Sequence, residues 1–325
     1  MKIEIGTNEA GQRLDKFLRK YFKDVPLSAI FKALRKGDIR VNGTKKKENY
    51  TLELGDEIVV KYLTSKKEAN AGKEINFIKV NPSAMKITYE DDNILVAEKW
   101  PGVLVHPDQK GAEPSLTDYV LSYLNDKGDY IPEKELTFTP APCNRLDRNT
   151  SGTVIFGKNF EALREMNEMI REGKVKKYYN ALVTGRIKDG IYKGYISKNE
   201  NENISRVYDK EMPNTKQISM EVKTLQSNGA FSFLEIDLIT GRSHQIRAHL
   251  SHLGNPIIGD FKYGDKKINS FFDNKFGLNY QFLYAYKLIF RGGEGKLEYL
   301  KNKTVVEALP PMFKKVKRDV FKFTL

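Results

Sequence analysis

Cysteine is almost absent from this sequence, because Cys143 is the only cysteine among 325 residues. A single thiol cannot form an intramolecular disulfide, so the sequence excludes a disulfide-stabilised extracellular scaffold and favours a reducing compartment. A catalytic thiol is not favoured either, since no histidine lies near Cys143 in the sequence. We therefore expect Cys143 to be a small buried or half-buried side chain.

Long apolar runs are also missing. No stretch approaches the roughly 20 consecutive apolar residues that cross a bilayer. The first residues, Met1–Gly6, lack the apolar core of a secretory signal. These absences exclude a helical membrane protein and a secreted protein, and they predict a cytoplasmic protein without a membrane partner.

Histidine is scarce, with four residues in the chain. Three of them, His244, His249 and His252, lie close together in the sequence, at spacings of five and three residues. These spacings match no standard zinc motif, and the segment offers no obvious carboxylate ligand. We predict no metal site.

Basic charge is in excess, since 55 lysines and arginines against 42 aspartates and glutamates give a formal net charge of +13. A basic surface attracts phosphate whatever the base sequence, so the charge favours a polyanionic partner such as RNA. Basic proteins without such a partner are common, and charge alone does not separate the two. With 40% hydrophobic and 11% aromatic residues, the chain can build the cores of two or three domains.

Residues 1–64 predict a small α/β domain with two helices followed by strands. The elements are marked by helical spacing from Leu14 to Phe22, by Ser28 as the N-cap of a second helix that Gly37 ends, and by strands at Ile39–Val41 and Asp56–Tyr62. The basic side chains expected to face phosphate in this domain are Lys32, Arg35, Lys36 and Arg40. The alternative is that these charges are only the solvated faces of two amphipathic helices.

Residues 65–84 are rich in Lys, Asn, Gly and Ser, which predicts a linker and domains that move relative to one another. Residues 85–325 then form the second domain. Its first apolar stretch, from Ile87 to Pro107, predicts two strands divided by a turn at Pro101-Gly102.

The most distinctive segment is Cys143–Gly152, which has the sequence Cys-Asn-Arg-Leu-Asp-Arg-Asn-Thr-Ser-Gly. A polar, turn-forming stretch here precedes the β-branched and aromatic run Thr153–Gly157. The pattern predicts that Asp147 lies on a loop at the edge of a sheet, and such loops often carry catalytic groups. Taken alone, Arg-Leu-Asp would more often be an ordinary solvated ion-pair cluster.

Two later segments extend the pattern. Lys176–Gly185 predicts a strand with a basic start, which includes Tyr179. Phe231–Ile239 alternates as a strand does and leads into Thr-Gly-Arg-Ser-His-Gln-Ile-Arg at 240–247. Thr-Gly-Arg after a strand could indicate a phosphate-binding loop, but the Gly-Lys-Ser/Thr ending of such loops is missing.

Together these segments resemble the RNA pseudouridine synthases of the RluA type, which include large-subunit ribosomal RNA enzymes. The resemblance rests on Arg-Leu-Asp-x-x-Thr-Ser-Gly at 145–152, Lys-x-Tyr-x-Ala-Leu-Val at 177–183 and the block at 240–247. Lys99, Pro101, Gly102, His106 and Pro107 also match a family motif if Trp100 is treated as an insertion. The N-terminal residues Arg13-Leu14-Asp15, 34–37 and 39–43 resemble the alpha-L RNA-binding module of a small-subunit ribosomal protein.

The resemblance implies roles for individual residues. Asp147 would be the nucleophile, Tyr179 the active-site tyrosine, and Arg247 the partner of the Asp147 carboxylate. Arg145 would enter the RNA helix in place of the everted uridine. The block at 240–247 would add Arg242 and His244 as RNA contacts. Asn144 stands where the family usually has histidine, which leaves the support of the loop open.

The resemblance also implies an α+β fold, in which a small N-terminal α/β RNA-binding domain precedes a catalytic domain with a mixed, mainly antiparallel central sheet flanked by helices. It implies isomerisation of uridine to pseudouridine by a monomer, with RNA as the partner. The reaction transfers no electrons to the enzyme, so no cofactor is expected. Attack on the sugar, attack on the ring and a glycal route all remain open.

Three other functions also remain. The chain could be a non-catalytic ribosomal RNA-binding or assembly factor, or a transfer-RNA pseudouridine synthase. It could instead hydrolyse an N-glycosidic bond, although the matching segments lack the second, acidic carboxylate that such a hydrolase uses.

Overall fold

The computed structural model describes residues 1–63, 77–108, 113–199 and 202–322. The N-terminal part packs two helices on a three-stranded antiparallel sheet of order β1-β3-β2. Its elements are β1 (Lys2–Glu4), α1 (Leu14–Tyr21), α2 (Leu27–Lys36), β2 (Ile39–Val41) and β3 (Glu57–Val60). Leu14, Phe17 and Leu18 are buried at helical spacing, as the sequence predicts.

The predicted start of α2 is wrong by two residues. Helix α2 begins at Leu27, and Pro26 rather than Ser28 occupies the N-cap position. The Pro26 ring holds φ at −56°, and its carbonyl accepts the first helical N–H groups, so no side-chain cap is used. Gly37 ends the helix in the left-handed conformation at φ 82°, as predicted.

The larger part is built on an eleven-stranded sheet. Its strands are β4 (Lys86–Glu90), β5 (Ile94–Lys99), β6 (Ala141–Pro142), β7 (Ser151–Gly157), β8 (Val175–Thr184), β9 (Gly190–Asn199), β10 (Ile204–Tyr208), β11 (Lys216–Ser227), β12 (Phe231–Leu238), β13 (Leu283–Phe290) and β14 (Thr304–Val306). Its helices are α3 (Leu116–Lys127), α4 (Phe160–Arg171), α5 (Gln245–His252), α6 (Lys266–Phe276) and α7 (Pro311–Val320), with 3-10 helices at Pro82–Ala84, Pro132–Lys134 and Gly295–Leu300.

The strand order is β10-β9-β11-β12-β8-β13-β7-β5-β4, with β14 beside β13 and β6 beside β7. The pair β7 and β13 is parallel at the centre of the sheet, and the other pairs are antiparallel. The predicted mixed, mainly antiparallel sheet flanked by helices is therefore confirmed.

Helices cover both faces of this sheet. On one face, Val120 of α3 and Leu250 of α5 share a core with Tyr179 of β8 and with Leu146. The opposite face is covered by α4, α6 and α7. Tyr179 and the loop that carries Asp147 therefore belong to the same side of the sheet. Across the described ranges, no helix is long and apolar enough to span a membrane.

The predicted strand after Pro101-Gly102 is wrong. Residues 103–108 form no strand, and the chain turns instead between β4 and β5. The reason is that the backbone oxygens of this segment have other partners. The Val103 oxygen accepts from Lys99 Nζ at 2.8 Å, and the Val105 oxygen accepts from Thr117 N at 3.1 Å.

Residues 65–76 of the predicted linker lie outside the described residues. The structure describes its end, which is attached to α3. Ile78 N donates to Asp118 Oδ1 at 2.9 Å, and Val80 N donates to Ser122 Oγ at 3.1 Å. Residues 77–84 thus run along the larger domain before β4 begins.

Candidate active site

The loop that carries Asp147 alternates buried and exposed side chains. Leu146 is buried in the core, whereas Arg145 and Arg148 are exposed. The side chain of Asp147 is 20% exposed, so its carboxylate is largely shielded from water but still accessible. The apolar anchor at Leu146 fixes the position of the carboxylate beside it.

Buried polar groups hold the end of this loop. Thr150 N donates to the Asp147 carbonyl at 3.0 Å, and Thr150 Oγ1 accepts from Gln281 Nε2 at 3.0 Å. Both Thr150 and Gln281 are buried. The loop conformation is therefore fixed by a hydrogen bond within the loop and by one to a segment distant in sequence.

Gly152 lets the loop enter the sheet. Its φ is 121°, and a Cβ atom there would lie 2.2 Å from the carbonyl oxygen of Ala285 in β13. A larger residue would push β7 and β13 apart just beyond Asp147. Glycine is thus required at position 152 by the close approach of these two strands.

Asn144 supports the start of the loop. Segment 141–143 pairs with β7, and Cys143 N donates to the Ile155 carbonyl at 2.7 Å. The next ladder position is occupied by a side chain, because Ile155 N donates to Asn144 Oδ1 at 2.8 Å. The amide oxygen replaces a backbone carbonyl and allows the chain to leave the sheet towards Arg145.

Replacing Asn144 tests this support. Asn144→Ala removes the acceptor for Ile155 N, and we expect kcat to fall about tenfold with little change in KM for RNA, because a misplaced carboxylate slows the chemical step. Asn144→His should retain activity, since Nδ1 of histidine lies close to the position of the asparagine oxygen. Steady-state kinetics of the two variants check this, and equal losses in both would contradict it.

Arg247 lies between two carboxylates. Its Nη1 donates to Asp147 Oδ2 at 2.9 Å, while Nε and Nη2 donate to Asp260 Oδ2 and Oδ1 at 2.6 and 2.9 Å. Asp260 is fully buried and also accepts from the N–H groups of Lys262 and Tyr263. The bidentate contact with Asp260 orients the guanidinium so that one N–H remains for Asp147.

The charge state of Arg247 follows from these contacts. Burial alone lowers the pKa of Arg247, but the hydrogen bonds and charges of Asp260 and Asp147 more than offset this and raise its pKa. The guanidinium is therefore a permanent cation beside Asp147. Tyr263 lies against it, with its ring centroid 5.1 Å from Cζ.

Tyr179 completes the group predicted from the sequence. It is buried in β8, and burial, with the nearby charge of Asp147, raises the pKa of its phenol. The phenol therefore stays protonated at physiological pH and can donate a hydrogen bond or stack on a base. The structure brings Asp147, Tyr179 and Arg247 together on one face of the sheet.

The sequence prediction missed Lys99 as part of this site. Lys99 is fully buried, and its Nζ donates to the carbonyl oxygens of Trp100, Val103 and Arg148 at 3.1, 2.8 and 2.8 Å. Burial lowers the pKa of Lys99 to about 7, although the charge of Asp147 acts in the opposite direction. Lys99 thus ties the Asp147 loop to the segment after β5. The Lys-Pro motif was the signal that could have revealed it.

The residues predicted to contact RNA lie in two places. Arg145 and Arg242 are exposed on the larger domain, and His244 is half-buried with Nδ1 2.8 Å from Tyr263 Oη. Burial lowers the pKa of His244, and the negative charge of Asp147 acts in the opposite direction. The residues of the N-terminal domain that are predicted to face phosphate, Lys32, Arg35, Lys36 and Arg40, are all exposed.

The other two histidines considered for a metal site have separate environments. His252 pairs with Asp209 at 2.8 Å, whereas His249 is buried against the Tyr192 ring. Burial lowers the pKa of His249 to about 4, with the charge of His252 acting in the same direction. No cluster of three or more His, Cys, Asp or Glu side chains suited to a metal occurs within the described part of the chain.

His249 should make stability depend on pH. Its folded-state pKa of about 4 lies below the ordinary value of 6.5. The unfolded chain therefore binds more protons between these values, and stability falls as pH falls through this window. From pH 7 to pH 5 we expect the loss to be about 2 kcal/mol. Urea unfolding should show this loss in the wild type and most of it in His252→Gln. His249→Gln should show a much smaller loss, to which the lowered pKa of His244 still contributes; an undiminished loss in His249→Gln would contradict the assignment.

Comparison with known proteins adds a separate line of evidence. Residues 93–252 match the RNA pseudouridylate synthase family, and residues 12–58 match the S4 domain family. The chain is 33% identical to the ribosomal large subunit pseudouridine synthase C of Vibrio parahaemolyticus over 97% of this chain and 94% of that one. It is 35% identical to the Escherichia coli protein of the same name, over 89% of this chain and 88% of that one.

A solved structure has a similar fold. The human protein RNA pseudouridylate synthase domain containing 4 matches with a TM-score of 0.55 and 23% identity, over 70% of this chain and 90% of that one. This similarity concerns the arrangement of strands and helices around the central sheet.

Proposed function

Because the chain belongs to the RNA pseudouridylate synthase family, we propose that it isomerises specific uridines of large-subunit ribosomal RNA to pseudouridine, with Asp147 as the nucleophile. The substrate follows from the relatives, which are named for the ribosomal large subunit. The observation that carries the role of Asp147 is its carboxylate, partly exposed and held by the buried Arg247 at 2.9 Å.

The reaction breaks the bond between the sugar and a ring nitrogen, turns the uracil and joins its carbon 5 to the sugar. Asp147 attacks the nucleoside or removes a proton from it, and attack on the sugar, attack on the ring and a glycal route all use a carboxylate at this place. The neutral phenol of Tyr179 stacks on the uracil and exchanges a proton. Arg247 holds the carboxylate of Asp147 in a fixed orientation.

The target uridine must leave its helix to reach this carboxylate. Eversion costs a few kcal/mol of stacking and pairing. The exposed Arg145, two residues before Asp147, is placed to fill the vacated position in the RNA. Arg242 and His244, on the segment that leads into α5, contact the adjoining backbone.

The site argues against hydrolysis of the N-glycosidic bond. A hydrolase needs a second carboxyl group that protonates the leaving base. The second carboxylate beside Arg247 is Asp260, which is fully buried and accepts hydrogen bonds from Arg247, Lys262 and Tyr263. Asp260 is therefore engaged in positioning Arg247 and is unsuited to protonating a base.

The proposal extends to the form and place of action. Asp147, Tyr179 and Arg247 all come from one chain, which supports a monomeric enzyme. Ribosomal RNA as substrate supports action in the cytoplasm. The basic face of the N-terminal domain, with Lys32, Arg35, Lys36 and Arg40, binds RNA phosphates away from the reacting nucleotide.

Mapping pseudouridine at single-nucleotide resolution tests the proposed substrate. Ribosomal and transfer RNA are compared between cells with and without the gene, and the expected result is loss of specific pseudouridines from large-subunit ribosomal RNA alone. Loss confined to transfer RNA would overturn the substrate assignment. Release of free uracil by the purified protein would overturn the reaction.

A further inference from the structure

The N-terminal domain contacts the catalytic domain through Asn8. Asn8 Nδ2 donates to both carboxylate oxygens of Glu135, at 3.1 and 3.0 Å. Its Oδ1 accepts a hydrogen bond at 3.2 Å from the N–H of Phe160, the first residue of α4. Both ends of the amide are thus bound by the catalytic domain. The catalytic domain therefore satisfies both the donor and the acceptor of this side chain.

The adjacent residue makes a second contact. Glu9 is only 3% exposed, and its Oε1 accepts from Thr137 N at 3.2 Å and from Thr137 Oγ1 at 3.3 Å. A carboxylate is buried at a high cost unless hydrogen bonds satisfy it. Here the catalytic domain supplies those donors, so burial of Glu9 depends on the two domains being in contact.

Apolar and aromatic contacts lie beside these polar ones. Leu136, between Glu135 and Thr137, packs against the core of the N-terminal domain. Lys20 of α1 places its Nζ 5.7 Å from the centroid of the Phe160 ring, within the range of a cation–π contact. One short surface of the catalytic domain, residues 135–137 with Phe160, therefore receives the turn at Asn8 and Glu9.

We propose that the N-terminal domain is docked in one position on the catalytic domain through Asn8 and Glu9, and so presents its basic surface to RNA at a fixed offset from Asp147. This replaces the expectation from sequence that the domains move freely. Two tethered domains have effective concentrations in the mM range. At about 1 mM, a contact with an intrinsic Kd of about 0.1 mM would keep about nine molecules in ten docked.

The length of strand β7 gives the distance between the docking surface and the catalytic loop. This strand runs from the end of the Asp147 loop at Ser151 to Gly157, three residues before Phe160. Its seven residues span about 20 Å, so the docking surface lies about one strand length from the catalytic loop. Lys32, Arg35, Lys36 and Arg40 lie on α2 and β2, outside the docking surface, and remain exposed. The docking does not depend on the proposed reaction, whereas its consequence for RNA does.

Distance measurement between spin labels tests the docking without any activity assay. Labels are attached to Ser28→Cys in the N-terminal domain and to Lys301→Cys in the catalytic domain, both at exposed positions of the full chain. The native Cys143 is only partly buried, so it is replaced by serine in every labelled protein. Pulsed electron paramagnetic resonance should give one narrow distance distribution.

A variant pair identifies the contact residues. Asn8→Ala with Glu135→Arg removes the amide and reverses the charge that it binds, so the distribution should broaden. The matched control, Asn49→Ala with Glu133→Arg, makes the same changes at exposed positions and should leave it narrow. A broad distribution in the parent protein would overturn docking. A narrow one in the Asn8 and Glu135 variant would overturn the role of these residues.

The consequence for RNA is measured on the same proteins. For a structured RNA, the Asn8 and Glu135 variant should show a KM raised about tenfold with kcat unchanged, because an undocked domain no longer adds its binding at a fixed place. If the Asn8 and Glu135 variant shows a broadened distance distribution but an unchanged KM, the domains do dock through these residues. The claim that docking helps to bind RNA at a fixed offset from Asp147 would then be overturned. Inactivity of the parent protein on every RNA would instead count against the proposed function.

Discussion

Asp147→Asn should lower the rate of pseudouridine formation by at least about 10⁴-fold, because it removes the carboxylate that starts the reaction. The amide keeps the size of the side chain, and Leu146 and Thr150 still hold the loop. Affinity for RNA should change less than about threefold, since most of it comes from contacts of basic side chains with phosphate. Single-turnover kinetics and a binding isotherm on one RNA separate the two effects.

The matched control for this prediction is Asp126→Asn. It makes the same chemical change on an exposed residue of α3, whose partner Lys79 is 3.9 Å away. Surface ion pairs of this kind contribute little, so both activity and RNA binding should stay at the wild-type level. Turnover retained by Asp147→Asn at more than a few per cent would remove the nucleophile assignment.

Arg247→Lys should reduce both activity and stability. Lysine keeps the charge but cannot form a bidentate contact with Asp260 and a third hydrogen bond to Asp147 at once. We expect kcat to fall about 10²-fold or more, because Asp147 loses its fixed partner. The free energy of unfolding should fall by about 3 kcal/mol, because Asp260 is fully buried and would be left poorly compensated. Urea unfolding and steady-state kinetics measure the two losses.

Arg242→Lys is the control for the stability effect. Arg242 is exposed five residues before Arg247, so its replacement should leave the free energy of unfolding within about 0.5 kcal/mol of the wild type. A stable, fully active Arg247→Lys variant would show that the geometry between the two carboxylates is unimportant.

Local sequence patterns were sufficient to predict the strands and loops that carry the site residues. Strand β8 with Tyr179, the loop before β7 with Asp147, and the segment leading into α5 with Arg247 each have their own periodicity or turn residues. Their likeness to a known family also indicated that Asp147 and Arg247 would pair, and the structure places them 2.9 Å apart.

Contacts between distant segments could not be predicted in this way. Asp260 holds Arg247, Gln281 holds Thr150 across 131 positions, and Lys99 binds the carbonyl of Arg148. Each depends on how the strands are arranged in space. Gln281 in particular has no motif around it that distinguishes it from a surface glutamine.

The error at residues 103–105 has a similar cause. Val103–Val105 has the composition of a strand, but its carbonyl oxygens bind Lys99 and the start of α3. Tertiary hydrogen bonds overrode the local preference of this segment.

The most direct test of the central claim is a crystal structure of the Asp147→Asn variant bound to an RNA that contains the target uridine. The uridine should be everted and stacked on Tyr179, with residue 147 about 3–3.5 Å from the sugar or ring carbon that it would attack, and Arg145 should occupy the vacated place in the helix. A uridine that remains stacked in its helix, or that binds away from residues 147, 179 and 247, would contradict the account.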